Sequence, residues 1–289
     1  MFDFHKLDDF IARGARPQGR GPVALILTED FYDLGGTLTH HLRLGFDHCI
    51  VISCALPPVP DELRADVTMV YHDIFAAGAA ADVVNRCMAA LDGRWVLVCY
   101  NGEYLYFPFC ETRSIADVTQ FAAQDKRSTI PIWVIDTYPA QMPQAGHNVP
   151  PDGQFIDARG YHGTPRWNRD EGCEYERQLD MFGGLKWRFR DHVPFDRRRI
   201  DRVALFQARA GLTVADDFTM SDQDYNTYQG TWHNGLTAAL VSHRTAKSLS
   251  QNLASRSEIT QLSWSHSVQW SGQSGQLLDL GLIEAGQWF

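Results

Sequence analysis

Five short apolar runs alternate with stretches of helical spacing through the first half of this 289-residue chain, and they leave little freedom in how it folds. Pro22-Val23-Ala24-Leu25-Ile26-Leu27 has no polar face, which is the pattern of a strand covered on both sides. Residues 48–53, 67–71, 94–100 and 130–135 repeat that pattern. Helical stretches lie between them at 31–46 and at 79–91, where Val83, Val84, Cys87, Met88 and Leu91 share one face. A third runs from Ser114, a good N-cap residue, to about Lys126. Strands joined by crossovers of this length pair in parallel, so the class is α/β with a mostly parallel sheet covered by helices.

After Pro139 the texture changes. Residues 140–182 are rich in Pro, Gly, Asp and Arg without a sustained period, and read as an irregular lid or loop. Residues 199–207 and 235–241 read as further strands, and 247–270 as one or two C-terminal helices. One domain over 1–289 is expected, with an N-terminal extension at 1–21 and halves at 22–139 and 183–289. Phe4, Leu7, Phe10 and Ile11 give the extension a weak amphipathic face, which more often covers its own core than a membrane.

A chain this long buries about three quarters of the surface it exposes when unfolded, and needs no disulfide or metal staple. The six cysteines have no Cys-x-x-Cys spacing and read as reduced and mostly buried. With 26 Lys+Arg against 35 Asp+Glu the formal charge is −9, which opposes a phosphate-tracking surface, so no nucleic-acid partner is expected. The acidic N-terminal residues do not resemble a secretory signal, and no apolar run reaches membrane-spanning length. The expectation is a cytoplasmic protein, free or peripheral to the inner membrane.

The fourth strand runs into Tyr100-Asn101-Gly102-Glu103-Tyr104-Leu105-Tyr106-Phe107-Pro108, followed by Cys110-Glu111-Thr112-Arg113 and later by Ile135-Asp136-Thr137-Tyr138-Pro139. Leu27-Thr28-Glu29-Asp30 follows the first strand, and His41-Leu42-Arg43-Leu44-Gly45-Phe46-Asp47-His48 leads into the second. Together with Gly183-Gly184 and the terminal Gln276–Leu282 segment, these resemble bacterial family-2-type glycosyltransferases of the GT-A fold over most of the chain. The resemblance implies a GT-A, Rossmann-like sheet, a nucleotide-sugar donor and a glycan or protein acceptor. It places Glu29, Asp30, Tyr100, Asn101, Gly102, Glu111, Arg113 and His243 in donor binding, His243 standing one position beyond the aligned Ser242. Asp136 and Glu103 are the implied catalytic carboxylates.

In that family two aspartates at the strand end hold Mg or Mn, which neutralises the departing diphosphate. Here those positions are Tyr100 and Gly102, so only Glu103 keeps an oxygen ligand; no bound cofactor is expected, with a divalent Mn or Mg as the alternative. The family's acidic pair after the second strand is replaced by Ser53-Cys54-Ala55. A literal Asp222-Gln223-Asp224 lies in a polar stretch and reads as a solvated loop. If chemistry survives, Asp136 takes the acceptor proton, with the alternative that it caps the turn before Pro139. Cations at Arg166, Arg169, Lys186, Arg188 or Arg190 would replace the metal, and Trp167, Trp187, Trp232 or Tyr161 would stack on sugar. The competing expectation is a pseudo-enzyme: a GT-A-fold binding or assembly subunit with a protein partner.

Overall fold

The computed structural model describes residues 4–12, 19–144, 153–228 and 235–288. In chain order the elements begin with β1 (Phe4–Lys6), α1 (Leu7–Ala12), β2 (Val23–Thr28), α2 (Leu34–Arg43), β3 (His48–Ser53), β4 (Val67–Tyr71) and α3 (Ala79–Met88). They continue with β5 (Trp95–Tyr100), β6 (Glu103–Tyr106), α4 (Ile115–Gln124), β7 (Thr129–Asp136), β8 (Phe155–Asp157), β9 (His162–Asn168), β10 (Cys173–Phe182) and α5 (Gly184–Arg188). Last come β11 (Asp201–Gln207), β12 (Ala238–Ser242), α6 (Arg244–Gln251), α7 (Leu253–Glu258), β13 (Ser267–Gln269) and α8 (Ser274–Asp279). The class is α/β, and each strand expected in the first half is present within a residue or so of its expected ends.

The chain forms two compact units. The first comprises residues 1–104, 110–131 and 203–226, and the second 105–109, 132–202 and 227–289. Sequence boundaries at 139 and 183 do not coincide with these, because β11 and the loop after it return to the first unit.

In the first unit β1, β4, β3, β2 and β5 lie side by side in that order, all parallel. β11 runs antiparallel to β5, with Leu205 opposite Leu97. Every residue of β2 is buried, as its lack of a polar face requires. Val83, Val84, Cys87 and Met88 of α3 enter the same apolar core as Leu7 and Phe10 of α1, so the N-terminal segment covers its own unit. Ser114 caps α4 through a reciprocal capping box with Asp117.

In the second unit β12 lies parallel to β7, with Ser242 opposite Asp136. Here the expected irregular stretch is corrected: β9 and β10 form an antiparallel hairpin with a bulge between Glu174 and Leu179. Most of the hairpin residues from Gly163 to Arg177 are exposed or half-exposed, so neither face needed an apolar period, and the sequence shows none. The C-terminal helical reading is also corrected. α6 and α7 end by Glu258, and residues 267–269 pair with β8 as β13.

All six cysteines are free thiols: Cys49, Cys87 and Cys99 are buried, Cys110 is half-buried, and Cys54 and Cys173 are exposed. Burial raises Cys49 and Cys87 to about 12, which keeps both as neutral, inert thiols. Among the described residues no helix is long and apolar enough to cross a membrane.

Candidate functional site

The first unit carries the turn that joins β5 to β6, where the resemblance places the donor. The Tyr100 amide donates to Glu103 Oε2 at 2.9 Å, which closes the turn on a fully buried carboxylate. Asn101 Nδ2 donates to the carbonyls of Asp30 (2.8 Å) and Tyr32 (2.9 Å), and the Gly102 amide donates to Thr37 Oγ1 at 3.1 Å. Tyr104 donates its hydroxyl to the Asp33 carboxylate. Tyr100, Asn101, Gly102, Glu103 and Asp30 are therefore brought together with the loop after β2, while Glu29 beside them is exposed. Gly102 sits at φ 78, in the left-handed region that favours glycine, so an aspartate placed there would meet backbone strain.

These residues do not fit a hard divalent cation. Tyr100 and Gly102 supply no carboxylate, and the oxygen of Glu103 faces a backbone N–H. Among the described residues, no group of three His, Cys, Asp or Glu side chains is placed to hold a metal ion. Nearby, His41 is buried with Nδ1 at 2.8 Å from the Thr37 carbonyl, and loss of hydration lowers it to about 3, so it is neutral.

Glu111 and Arg113 lie exposed on the loop before α4, where Glu111 accepts from the Cys110 thiol at 3.7 Å. Asp222 of the literal Asp-x-Asp accepts from Arg209 at 2.6 Å and from the Asp224 amide at 3.1 Å, a self-contained loop.

The second unit holds Asp136 at the carboxyl end of β7, where open α/β sheets build their sites. Asp136 is 1% exposed. Its Oδ2 accepts from the Leu185 amide at 2.9 Å, so it caps the start of α5 rather than the turn before Pro139. Its Oδ1 is buried with no hydrogen-bond partner. Burial raises the carboxyl above its ordinary range, against the opposing pull of Lys186, Thr245 and the Leu185 amide. His243 follows Ser242, the residue opposite Asp136, and is buried at the start of α6.

Gly183 and Gly184 explain themselves here. A Cβ on Gly184, which sits at φ 62, would stand 2.6 Å from Asp136 Oδ2. One on Gly183 would stand 2.1 Å from the Tyr161 ring. The two glycines let one backbone segment press against both a carboxylate and a phenol.

Tyr161 has a buried hydroxyl with no partner, and burial with the nearby Asp157 and Asp136 carboxylates holds it well above its usual range as a neutral donor. It lines a cleft of about 460 Å³ together with Arg159, Arg188, Arg190, Trp187 and Trp264. Asp157, 1% exposed, organises the base of that cleft: it accepts from Tyr138, from Trp264 Nε1 at 2.7 Å and from Arg188 Nε at 2.9 Å. Arg188 also donates to the Leu262 carbonyl at 2.7 Å and lies over the rings of Tyr138, Phe189 and Trp264 at 5.1, 5.2 and 5.3 Å. Its Nη2 is buried without a partner. Edge-on contact with His162 at 4.5 Å fixes the ring of Trp187, over which Arg190 lies at 5.5 Å.

Of the other cations singled out from sequence, Arg166 is spent on Asp180 (2.7 Å) and Asp201 (2.6 Å), and Arg169 is exposed on the hairpin. Lys186 donates to the Arg199 carbonyl at 3.2 Å. Trp167 is exposed, and Trp232 lies outside the described residues. Sequence reasoning did not select Asp157, Arg159 or His162. The signal was absent, since Asp157 ends a three-residue strand and its side-chain partners come from segments up to 107 positions away. Searched against known proteins, the chain matches no family model and no curated relative.

Proposed function

We propose that this chain is a GT-A-type, glycosyltransferase-like protein that moves a sugar from a nucleotide-sugar to a glycan or protein acceptor without a carboxylate-held metal. The observation that carries this reading is Asp136: a desolvated carboxylate at the end of a parallel strand, held by the Leu185 amide on Oδ2 and by the Thr245 side chain, with a buried Oδ1 that has no partner of hydrogen-bond geometry. In an inverting transfer the acceptor oxygen forms the new bond to the anomeric carbon as the bond from that carbon to the diphosphate breaks. The electron pair leaves with the diphosphate, and the acceptor proton passes to Asp136 Oδ1. Fixing Oδ2 orients the base, and a raised pKa strengthens it.

Positive charge for the leaving group must come from the chain itself, because Tyr100 and Gly102 replace the family's metal-holding aspartates. Asp136→Asn keeps an acceptor for the Leu185 amide and removes the base. Transfer from UDP-, GDP- or CMP-sugars, assayed in EDTA, should fall by about 10²-fold or more while the melting temperature does not fall. Undiminished transfer in this variant removes Asp136 from the reaction.

A second reading, a pseudo-glycosyltransferase that binds or assembles without transfer, is favoured by the β5–β6 turn. There Glu103 and Asn101 are committed to backbone hydrogen bonds. Persistent nucleotide-sugar or glycan binding with no turnover in either protein would select it.

A further inference from the structure

We infer that the cleft of the second unit lined by Arg159, Arg188, Arg190, Trp187, Trp264 and Tyr161 binds an acidic saccharide, its oxyanion on the arginines and its ring against a tryptophan. This rests on the glycosyltransferase-like reading and names the class of sugar that the protein handles.

The charge balance supports an anion. Among the described residues three guanidinium groups and one carboxylate line the cleft, and that carboxylate, Asp157, is consumed by Arg188, Tyr138 and Trp264. Arg159 and Arg190 are exposed and stand in no ion pair among the described residues. An anion arriving there therefore gains two cations whose charge is not already matched.

The supporting shell is built for recognition. Arg188 is held by two hydrogen bonds and three ring faces, yet keeps a buried Nη2 without a partner, and the buried Tyr161 hydroxyl has none either. Buried donors without acceptors are rare in folded proteins, and both belong to residues that line this cleft. A carboxylate or phosphate offers the acceptors they lack. Trp187 and Trp264 supply flat apolar faces suited to the C–H side of a pyranose, and both are fixed, Trp187 by His162 and Trp264 by Asp157. At about 460 Å³ the cleft is within the range of small-ligand sites.

The oxyanion has two possible sources, a uronic acid of the acceptor or the diphosphate of the donor, and titration calorimetry in EDTA separates them. The probes are glucuronyl-β-1,4-glucose, its neutral counterpart cellobiose, and UDP. The acidic disaccharide should bind about tenfold tighter than cellobiose, and Arg159→Ala/Arg190→Ala should abolish that preference. Trp187→Ala should weaken the acidic disaccharide while leaving its preference over cellobiose in place. Both arginines are exposed, so the double variant should fold, which circular dichroism checks. Equal binding of the two disaccharides, or binding of neither, overturns the inference. Binding of UDP alone, lost in the double variant, overturns the saccharide assignment and gives the cleft to the donor diphosphate.

Failure here and failure of the proposed function are separable. If Asp136→Asn abolishes transfer but the arginine variants bind as before, the reaction stands and the cleft assignment falls. If the acidic disaccharide binds through the arginines but no transfer depends on Asp136, the cleft stands and the catalytic reading falls.

Discussion

The β5–β6 turn of the first unit and the Asp136 region of the second both stand at the carboxyl ends of parallel strands, yet they use their charged groups in opposite ways. In the turn, Glu103 accepts from the Tyr100 amide and Asp33 from the Tyr104 hydroxyl. What is left without a partner near the strand ends is neutral: Asn101 Oδ1 and Thr28 Oγ1. In the second unit the unpartnered atoms include a carboxylate oxygen, a guanidinium nitrogen and a phenol, at Asp136, Arg188 and Tyr161. Unmet capacity on a buried charge costs more than on an amide or hydroxyl, so a fold keeps it where something else will meet it. The difference favours the reading of the turn as architecture and of the second region as the place of the proposed recognition or chemistry.

The largest expected effect is at Asp157. It is almost fully buried and holds Arg188, Tyr138 and Trp264 at once, so Asp157→Ala leaves a mostly buried guanidinium without its counter-ion. A loss of about 3–5 kcal/mol is expected in urea unfolding. A loss under about 1 kcal/mol would mean that Arg188 finds another partner, and the cleft would not have the rigid base described for it.

The turn gives the next test. Glu103→Gln keeps the shape and an acceptor for the Tyr100 amide but weakens that bond, for a loss of about 1 kcal/mol. Ligand binding, measured well below the variant's melting temperature, should be unchanged. If binding disappears while the fold persists, Glu103 belongs to the site and the contrast between the two regions collapses.

How far each region was legible from sequence follows from what holds it together. Strands of the first unit announce themselves because residues such as Val23–Leu27 are buried on both faces, which forces an apolar run. Ser114 was legible because a capping box is local, three residues wide. β9 and β10 were not, because exposed strands impose no pattern on their side chains. The candidate site divides in the same way. Asp136 was placed by its position at a strand end, whereas Asp30 and the β5–β6 turn were grouped only through the resemblance, and their contact is seen in the structure. Its bond to Leu185 spans 49 residues, and that of Asp157 to Trp264 spans 107, distances over which no sequence period operates. The resemblance pointed to Asp136 but not to Asp157, and to the partners of neither, and the partners are what distinguish a brace from a base.

The smallest expected change in folding is at Asp136, and its sign with pH is the sharpest test of the comparison. The folded-state pKa is raised above the ordinary value of 3.8, chiefly by burial, so between that value and the raised one the native protein binds more protons than the unfolded chain. Wild-type stability therefore carries a penalty that is absent below about pH 3.8, grows as pH rises through the window, and stays constant above the folded pKa. Asp136→Asn has no such proton and retains an acceptor for the Leu185 amide. Its stability relative to wild type should rise with pH across the window and then level off, in paired urea titrations from pH 4 to 8. A brace whose charge strengthens the α5 cap would give the reverse slope, with the variant losing ground as pH rises. That outcome would move Asp136 into the same class as Glu103, a buried carboxylate kept for the backbone it ties down.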